Sequence, residues 1–138
     1  TTTFSLSNFL LRKAKLEYIL DDLSTNFTLF IPCDDSLKQK YPEWFFVSID
    51  YLAAKEIILS HIVNRRVTSE MLSSSDGMQL STNMRTGRLG SFYCGYDHQS
   101  KNIIINNRTK IIDNNIMLNN GIIHVIDDFI FAPDCSNN

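Results

Sequence analysis

The 138-residue sequence has no long apolar run. No stretch approaches the roughly 18 apolar residues that a membrane helix requires, and no charged-then-apolar leader opens the chain. The chain also begins with Thr1-Thr2-Thr3 rather than with Met. We therefore expect no direct membrane insertion, and we expect this sequence to be a mature or excised part of a larger protein.

A strong excess of charge of one sign is also missing. The net charge is -2, and the pI is about 5.8. Nucleic-acid binding normally requires a basic excess on one face, so no nucleic-acid partner is expected. The basic residues are dispersed and indicate solvated surfaces. They form the groups Arg12-Lys13-Lys15, Arg65-Arg66 and Arg85/Arg88.

Signatures of catalysis, cofactor binding and metal binding are absent. Only five glycines and three widely spaced histidines occur, so there is no phosphate-cradling loop. His124, Asp127 and a serine could in principle form a triad, but no GxSxG motif is present. Cys33 and Cys94 lack a cysteine-protease signature. The sequence therefore predicts a protein that is not an enzyme and that has no cofactor or metal.

Cysteine is scarce and odd in number. Cys33, Cys94 and Cys135 show none of the CxxC or Cys/His spacings of zinc or redox sites. At most one internal disulfide is possible, and the sequence leaves its pairing open. Cys135 lies beyond the last apolar run, where it could instead pair within a module that follows.

What the chain does contain is typical of one globular domain, which we assign to residues 1–138. Hydrophobic residues make up 43% and aromatic residues 11% of the sequence. Apolar residues at three- and four-residue spacing predict an amphipathic helix from Ser5 to Leu23. A second helix is predicted after Ser48, over "IDYLAAKEIILSHIV", followed by a capped turn at "TSEML".

Short β-prone runs make up most of the remaining sequence. Phe27 to Ile31 predicts a strand that Pro32 ends, and Asp34 or Asp35 can cap the short helix that follows. The motif "IIINNRTKII" predicts a hairpin, because Asn tolerates positive φ at its turn. Later strands are expected at 78–80, 89–93, 101–105, 109–112 and 122–131. Helices that precede strands favour a segregated α+β fold.

Polar residues inside apolar runs predict structural anchors. In "GIIHVIDDF", strict alternation places Ile122, His124, Ile126 and Asp128 on one face and Ile123, Val125, Asp127 and Phe129 on the other. Both faces are mostly apolar, so the strand should be buried on both sides. We therefore expect His124 and Asp127 to be hydrogen-bonded, because an unpaired buried polar group costs about 1–3 kcal/mol. His61 shares a helical stripe with Ile57 and is predicted to be a hydrogen-bonded core residue.

Two N-x-T sequons occur, Asn26-Phe27-Thr28 and Asn107-Arg108-Thr109. Sequons alone are weak evidence of glycosylation in a chain so rich in asparagine. Asn107 falls at the predicted hairpin tip, where a glycan would remain in water. Asn107 is therefore predicted to be the better acceptor.

Three stretches, "FTLFIPCDDSL", "ILSHIVNRRVTSEML" and "NNGIIHVIDDFIFAP", resemble in order and spacing the landmarks of the fasciclin (FAS1) domain family. The resemblance covers almost the entire chain. It implies a helical layer packed on a twisted antiparallel or mixed β-wedge, and no cofactor. It also implies an extracellular adhesion or ligand-binding module, either of a secreted matrix protein or of the ectodomain of a membrane receptor. Expected partners are a cell-surface receptor, a matrix protein or a glycan, together with neighbouring FAS1 or EGF-like domains.

The resemblance also points to a candidate adhesion surface. Adhesive members carry a Tyr-His pair among bulky apolar residues, and Ser60 and His61 match that pair here. An Asp-Ile pair of those members is matched by Asn115-Ile116. The full candidate set is Ile57, Ile58, Ser60, His61, Ile62, Asn115 and Ile116. Because the aromatic hydroxyl and the carboxylate are both missing, the alternative is a structural spacer that contacts only neighbouring domains of the same chain.

Overall fold

The computed structural model describes residues 3–74, 77–84 and 87–131. Helices precede most of the strands, as the sequence predicts. The helices are α1 (Ser5–Lys13), α2 (Tyr18–Asp21), α3 (Asp34–Lys40), α4 (Glu43–Ser48), α5 (Tyr51–Leu59) and α6 (Ser69–Ser74). The strands are β1 (Phe27–Pro32), β2 (Ile62–Val63), β3 (Met78–Ser81), β4 (Ser91–Asp97), β5 (Asn102–Ile105), β6 (Thr109–Met117) and β7 (Gly121–Ile126).

The seven strands form one mixed sheet in the order β2-β1-β7-β6-β5-β4-β3. β1 and β7 are parallel, in a register that pairs Phe27 with Gly121 and Pro32 with Ile126. The other neighbouring pairs are antiparallel. The first and last strands, β1 and β7, therefore lie side by side. The six helices of the described residues and a mainly antiparallel sheet together confirm the α+β prediction.

The core consists of two apolar clusters that share β1 as a wall. Leu29 belongs to the cluster that includes the buried side chains of α1, α3, α4 and α5. Phe30, the next residue, belongs to the cluster formed with α6 and the strands β3 to β6. Successive side chains of a strand point to opposite faces, so β1 is buried on both sides. β7 shows the same pattern, with Ile123 packed against the first cluster and Ile126 in the second.

The single N-terminal helix predicted from Ser5 to Leu23 is wrong, because the chain breaks between α1 and α2. Lys15 has a left-handed φ of 59°, and the Leu16 N–H reaches back to the Leu11 carbonyl. On a continuous helix, Leu16 would point roughly 120° away from Leu10 around the axis. The break places both leucines in the same core cluster, whereas Leu23 is 71% exposed.

Two other predicted boundaries also need correction. α5 begins after Asp50, whose carboxylate accepts from the Ala53 N–H at 2.8 Å, while Ser48 ends the preceding α4. The N-cap residue is the one whose side chain accepts a hydrogen bond from a free backbone N–H of the first helical turn. The last strand ends at Ile126 rather than at residue 131, because Asp128 accepts from the Phe129 N–H and turns the chain. β2 was not predicted: its residues, Ile62 and Val63, were expected at the end of the second helix, which instead ends at Leu59.

The predicted hairpin is confirmed. β5 and β6 are antiparallel neighbours, with Ile105 paired to Thr109. Asn106 and Asn107 have φ values of 53° and 57°, and the Arg108 N–H donates to the Ile105 carbonyl at 3.0 Å. Asparagine tolerates these left-handed angles, which a two-residue turn of this kind requires.

The acidic pair after Pro32 does not cap its own helix, which was the predicted role. Cys33 is the N-cap residue of α3, without a side-chain cap bond. The Asp34 carboxylate instead accepts from the N–H groups of Ser5 (3.1 Å) and Leu6 (2.8 Å), at the start of α1. Asp35, predicted to be a structural polar residue, is exposed. Burial opposes the charge of Asp34, yet these donors hold the pKa of its carboxyl below the usual value.

Candidate functional site

The centre of the sequence-derived adhesion surface lies inside the protein. Ser60 and His61 are 1% and 3% exposed, and Ile58 and Ile62 are also buried. Ile57 is half-buried. A contact surface needs exposed side chains, so these residues cannot touch a partner in this conformation. The resemblance located the positions, but it could not show that the end of α5 packs beneath other segments.

His61 links α5 to the segment after β7. Its Nε2 accepts from the Ile130 N–H at 2.9 Å, so the ring proton is on Nδ1 and is donated to the Ile57 carbonyl at 2.6 Å. Burial lowers the pKa of His61 to about 4, against the opposing effects of that carbonyl and of the Asp128 charge. The imidazole is therefore neutral and bonded at both nitrogens.

Asn115 occupies an irregular position of β6 with a φ of 55°. Its side-chain oxygen accepts from the Ser69 N–H at 3.0 Å, at the start of α6. Its amide nitrogen donates to the Ser69 hydroxyl at 2.8 Å and to the Glu70 carboxylate at 3.2 Å. The amide thus joins β6 to α6, while the neighbouring Ile116 is exposed. The structure does not bring Asn115 into hydrogen-bond contact with His61.

His124 is fully buried in β7. Its Nδ1 accepts from the Asn115 N–H at 3.2 Å, so Nε2 carries the proton and donates to the Val67 carbonyl at 2.7 Å. Burial lowers the pKa of this ring, against the effects of the Val67 carbonyl and of the Glu70 charge. His124 therefore holds three segments together: β7, the β6 irregularity and the loop before α6.

The two aspartates after β7 have different roles. Asp127 accepts from the Lys110 N–H at 3.0 Å and thereby extends the β6–β7 pairing. Asp128 is buried and accepts from the Arg108 guanidinium and from the Tyr41 hydroxyl at 2.6 Å. Burial and the charge of Asp128 raise the pKa of Tyr41. Asp128 was not predicted to be an anchor, although strand alternation placed it on the same face as His124.

Asn120 and Gly121 were also missed as structural residues. The Asn120 amide donates to the carbonyls of Leu20 (3.0 Å) and Asp22 (2.9 Å), which fixes the end of α2. A Cβ on Gly121 would lie 2.7 Å from the carbonyl oxygen of Phe27, its partner in the parallel β1–β7 pair. The Asn-Gly pair therefore serves the close approach of β7 to β1.

Both sequon asparagines are exposed, Asn26 before β1 and Asn107 at the hairpin tip. The threonine of each sequon is fully buried. Thr28 donates to the Arg65 carbonyl at 2.6 Å, and Thr109 donates to the Phe129 carbonyl at 3.1 Å. Each threonine is thus required by the fold whether or not its asparagine carries a glycan.

Cys33 and Cys94 are free, buried thiols and are not paired with each other. Burial raises the pKa of the Cys94 thiol to about 12. Cys135, the third possible disulfide partner, lies outside the described residues, as does Arg85 of the dispersed basic groups.

An apolar cavity of about 480 Å³ lies between α1 and the face of the β1–β7 pair. Its walls include Leu11, Leu20, Ile31, Ile57 and Ile123. A separate groove of about 710 Å³ lies between α1 and α4. The cavity and the groove both border α1. Charged side chains line the groove but not the cavity.

Exposed apolar side chains are concentrated in the helical part of the protein. Phe9, Glu43 and Val47 border the α1–α4 groove, and Trp44 lies one helical turn before Val47. Within the described ranges, seven of the eleven exposed large apolar or aromatic residues precede residue 53. They are Phe9, Tyr18, Leu23, Trp44, Val47, Tyr51 and Leu52.

The described part of the chain contains no group of three or more His, Cys, Asp or Glu side chains placed to hold a metal ion. None of its helices is long and apolar enough to cross a membrane. Neither buried imidazole has a nitrogen free to take a proton from a substrate, since both nitrogens of His61 and His124 are hydrogen-bonded.

The family model of the Fasciclin domain matches residues 2–132. This chain belongs to the fasciclin domain family. Its fold resembles the solved FAS1 domain pair of the insect cell adhesion molecule fasciclin I, with a TM-score of 0.76 and 21% sequence identity. That match covers 94% of this chain and 47% of the fasciclin I chain, so the present chain spans about half of the pair. No curated protein sequence matches this chain.

The family and the fold carry general implications for this fasciclin domain. Domains of the family are generally non-catalytic modules of cell-adhesion proteins, and they are typical of extracellular proteins. In fasciclin I they occur as a tandem pair. The helical layer and the mixed β-sheet predicted from the resemblance are thus confirmed as the FAS1 fold, and within the described residues the sheet has seven strands.

Proposed function

We propose that this fasciclin domain is an extracellular adhesion or ligand-binding module within a larger matrix protein or membrane receptor, and that it contacts its partner through the α1–α4 groove. The observation that carries the proposal is the exposure of Trp44 (57%) and Val47 (72%) on one side of α4. Exposed apolar clusters on a folded domain mark interaction sites. The domain occupies residues 1–138.

The composition of the groove fits a protein partner on a cell surface or in the matrix. Val47 and Phe9 line the groove and provide apolar contact area. Trp44, one helical turn before Val47, is an exposed residue beside the groove and is of the type most enriched among binding hot spots. Arg12, Lys38 and Glu43 also line the groove. Protein interfaces commonly combine apolar contact area with polar and charged groups. A glycan partner would depend more on these charged residues and on Trp44 than on Val47.

Because a single fasciclin domain offers a small contact area, the test should use multivalent display. The chain would be biotinylated at one terminus, tetramerised on streptavidin and applied to cells and to immobilised matrix proteins and glycans. Linked copies gain avidity without any new contact, so a weak site becomes measurable. We expect attachment that Trp44→Ala and Val47→Asp reduce at least fivefold.

Exposed residues of the sheet provide matched controls. Met117→Ala and Ile112→Asp change side chains that are 60% and 50% exposed, far from the groove in sequence, and should leave attachment unchanged. Equal losses in both pairs of variants would contradict the groove as the contact site. Attachment to glycans alone, retained in Val47→Asp, would contradict a protein partner.

A second candidate function is that of a structural spacer, and the burial of Ser60 and His61 favours it. In this case the α1–α4 groove and the exposed Trp44 and Val47 pack against a neighbouring FAS1 or EGF-like domain of the parent chain. The tetramer would then bind no cell, matrix protein or glycan above background, while the purified neighbouring domain would bind and would lose affinity for Trp44→Ala. Attachment of the native tetramer to cells would show that the domain is not only a spacer.

A further inference from the structure

The apolar cavity beneath α1 has a size and lining that no assigned function explains. Its volume of about 480 Å³ lies within the range of about 300–1,000 Å³ that is typical of small-molecule sites. The cavity is partly open to solvent, since the exposed residues Thr3, Ser5 and Asn8 line it together with buried core side chains. We propose that the cavity binds an uncharged, mainly aliphatic small molecule.

Direct hydrogen bonds fix one end of α1 beside the cavity. The Ser7 hydroxyl donates to the Pro32 carbonyl at 2.7 Å, which ties the first turns of the helix to the end of β1. The Asp34 carboxylate fixes the N–H groups of Ser5 and Leu6 at hydrogen-bond distance. These bonds fix the position of this end of α1 relative to β1 and Asp34, and therefore define one side of the cavity.

The chemistry of the walls selects an apolar occupant. Leu20, Ile31, Ile57 and Ile123 line the cavity and are only half-buried, so each retains apolar surface that a ligand would cover. At about 25 cal/mol per Å² of apolar surface removed from water, that contact favours binding. Even a smaller, enclosed apolar cavity of about 150 Å³ accepts hydrocarbon ligands.

The polar groups at the cavity exclude a charged ligand. No Lys, Arg, Asp or Glu side chain lines the cavity, and burying an unpaired charge is costly. His61 faces the cavity, but both of its nitrogens are already hydrogen-bonded. The exposed Asn8 carboxamide, which makes no hydrogen bond within the described residues, is left to bind a hydroxyl, ester or amide head group.

The volume indicates how large a part of a ligand the cavity can enclose. At about 30 Å³ per non-hydrogen atom, the share of one water molecule in the liquid, the cavity would hold about 16 such atoms. A medium-chain alcohol fits this limit. Because the cavity and the α1–α4 groove share only Ser5 among their lining residues, a ligand here does not depend on the proposed adhesive contact.

1-Decanol and decanoate form a matched pair of probes that differ in head-group charge. Binding would be measured by isothermal titration and by methyl NMR shifts of the complete chain. We expect decanol to bind, to shift mainly the methyl groups of Ile31, Ile57 and Ile123, and to bind at least tenfold more tightly than decanoate. No binding up to the solubility limit of decanol, or equal affinity for both probes, would overturn the proposal.

Variants that fill the cavity provide the second arm of the test. Ile123→Phe on β7 and Ile57→Phe on α5 place a ring in the cavity from opposite walls and should weaken decanol binding at least tenfold. Ile116→Phe adds the same ring at an exposed position of the sheet and should bind as the native chain does. If one filled variant fails to fold by circular dichroism, the other decides the result. Unchanged affinity in a folded, filled variant would overturn the proposal.

Discussion

The Asp34 carboxylate accepts a hydrogen bond from the backbone N–H of Leu6 at 2.8 Å, across 28 positions of sequence. A side chain at the start of α3 thus caps α1, whose own N-cap residue, Phe4, has no side-chain acceptor to offer. The cap joins the N-terminal helix to the end of β1. It also explains why the second acid of the pair, Asp35, is free to remain in solvent.

Replacing Asp34 by Ala should lower the free energy of unfolding by about 2–4 kcal/mol, because several donors at the start of α1 lose a charged acceptor. Urea denaturation would measure the loss. Asp35→Ala is the matched control and should change stability by less than about 0.5 kcal/mol, as most exposed substitutions do. Equal effects of the two substitutions would contradict the assignment of Asp34 as the cap.

Stability should decrease as pH falls below neutrality. Burial lowers the pKa of His61 to about 4 and also lowers that of His124, so the unfolded chain binds protons that the folded chain does not. The stabilisation is complete above the unfolded pKa of about 6.5 and is lost as pH falls toward the folded values. Below pH 4, protonation of Asp34, whose pKa is also lowered, removes a further contribution.

Urea midpoints measured from pH 7.5 to pH 4.5 would check this pH dependence. The slope should approach about 1.4 kcal/mol per pH unit for each histidine that titrates only when the chain unfolds. His61→Gln removes one of these groups, so its profile should be flatter than that of the native chain. A native profile that stays flat from pH 7 to pH 4.5 would contradict the neutral, buried imidazoles.

Restoring tyrosine at position 60 should destabilise the protein rather than create an adhesive surface. Ser60 is 1% exposed and donates to the Ile57 carbonyl at 2.7 Å, so a phenol ring there would overpack the core at a cost of about 1–3 kcal/mol. Thermal unfolding would measure the change. Ile116→Tyr, at a 37% exposed position, should be close to neutral. An unchanged melting temperature in Ser60→Tyr would show that this site has more room than the structure indicates.

Asn115→Asp should also destabilise the fold, because an ionised carboxylate cannot donate to Glu70 and would repel it. We expect a loss of about 0.5–2 kcal/mol, typical of a damaged cap. Adding Glu70→Gln to the Asn115→Asp variant should recover part of the loss, whereas Glu70→Gln alone should have a small effect. A strictly additive double-mutant cycle would show that the Asn115–Glu70 contact carries no energy.

Expression in a glycosylating host would test the prediction for the two sequons. Asn107 lies at an exposed hairpin tip, whereas Asn26 directly precedes the buried Phe27. We expect mass spectrometry to find Asn107 modified, and Asn107→Gln to remove that glycan without loss of fold. Occupancy at Asn26 with none at Asn107 would contradict the prediction.

Patterns that depend on nearby residues were predictable. The sequence predicted the alternation of β7, the asparagine turn between β5 and β6, and the order of helices before strands. These features were predictable because strand periodicity and turn propensity are local properties. The motif order was sufficient to indicate the family. Local spacing did not reveal the break at Lys15, because apolar residues recur at three- and four-residue spacing on each side of it, and only core packing brings Leu10 and Leu16 into one cluster.

The partners of the polar residues were decided only by tertiary structure. Asp34 bonds to α1 instead of its own helix, and Asn120 reaches the Leu20 carbonyl across 100 positions. The same long-range packing buries Ser60 and His61, which the family resemblance had placed on a surface. The Asn120 contact depends on the parallel pairing of β1 with β7, which places the residue before β7 next to the end of α2. The sequence by itself determined the fold class and most of the strands and helices, whereas tertiary packing decided what each buried polar group binds.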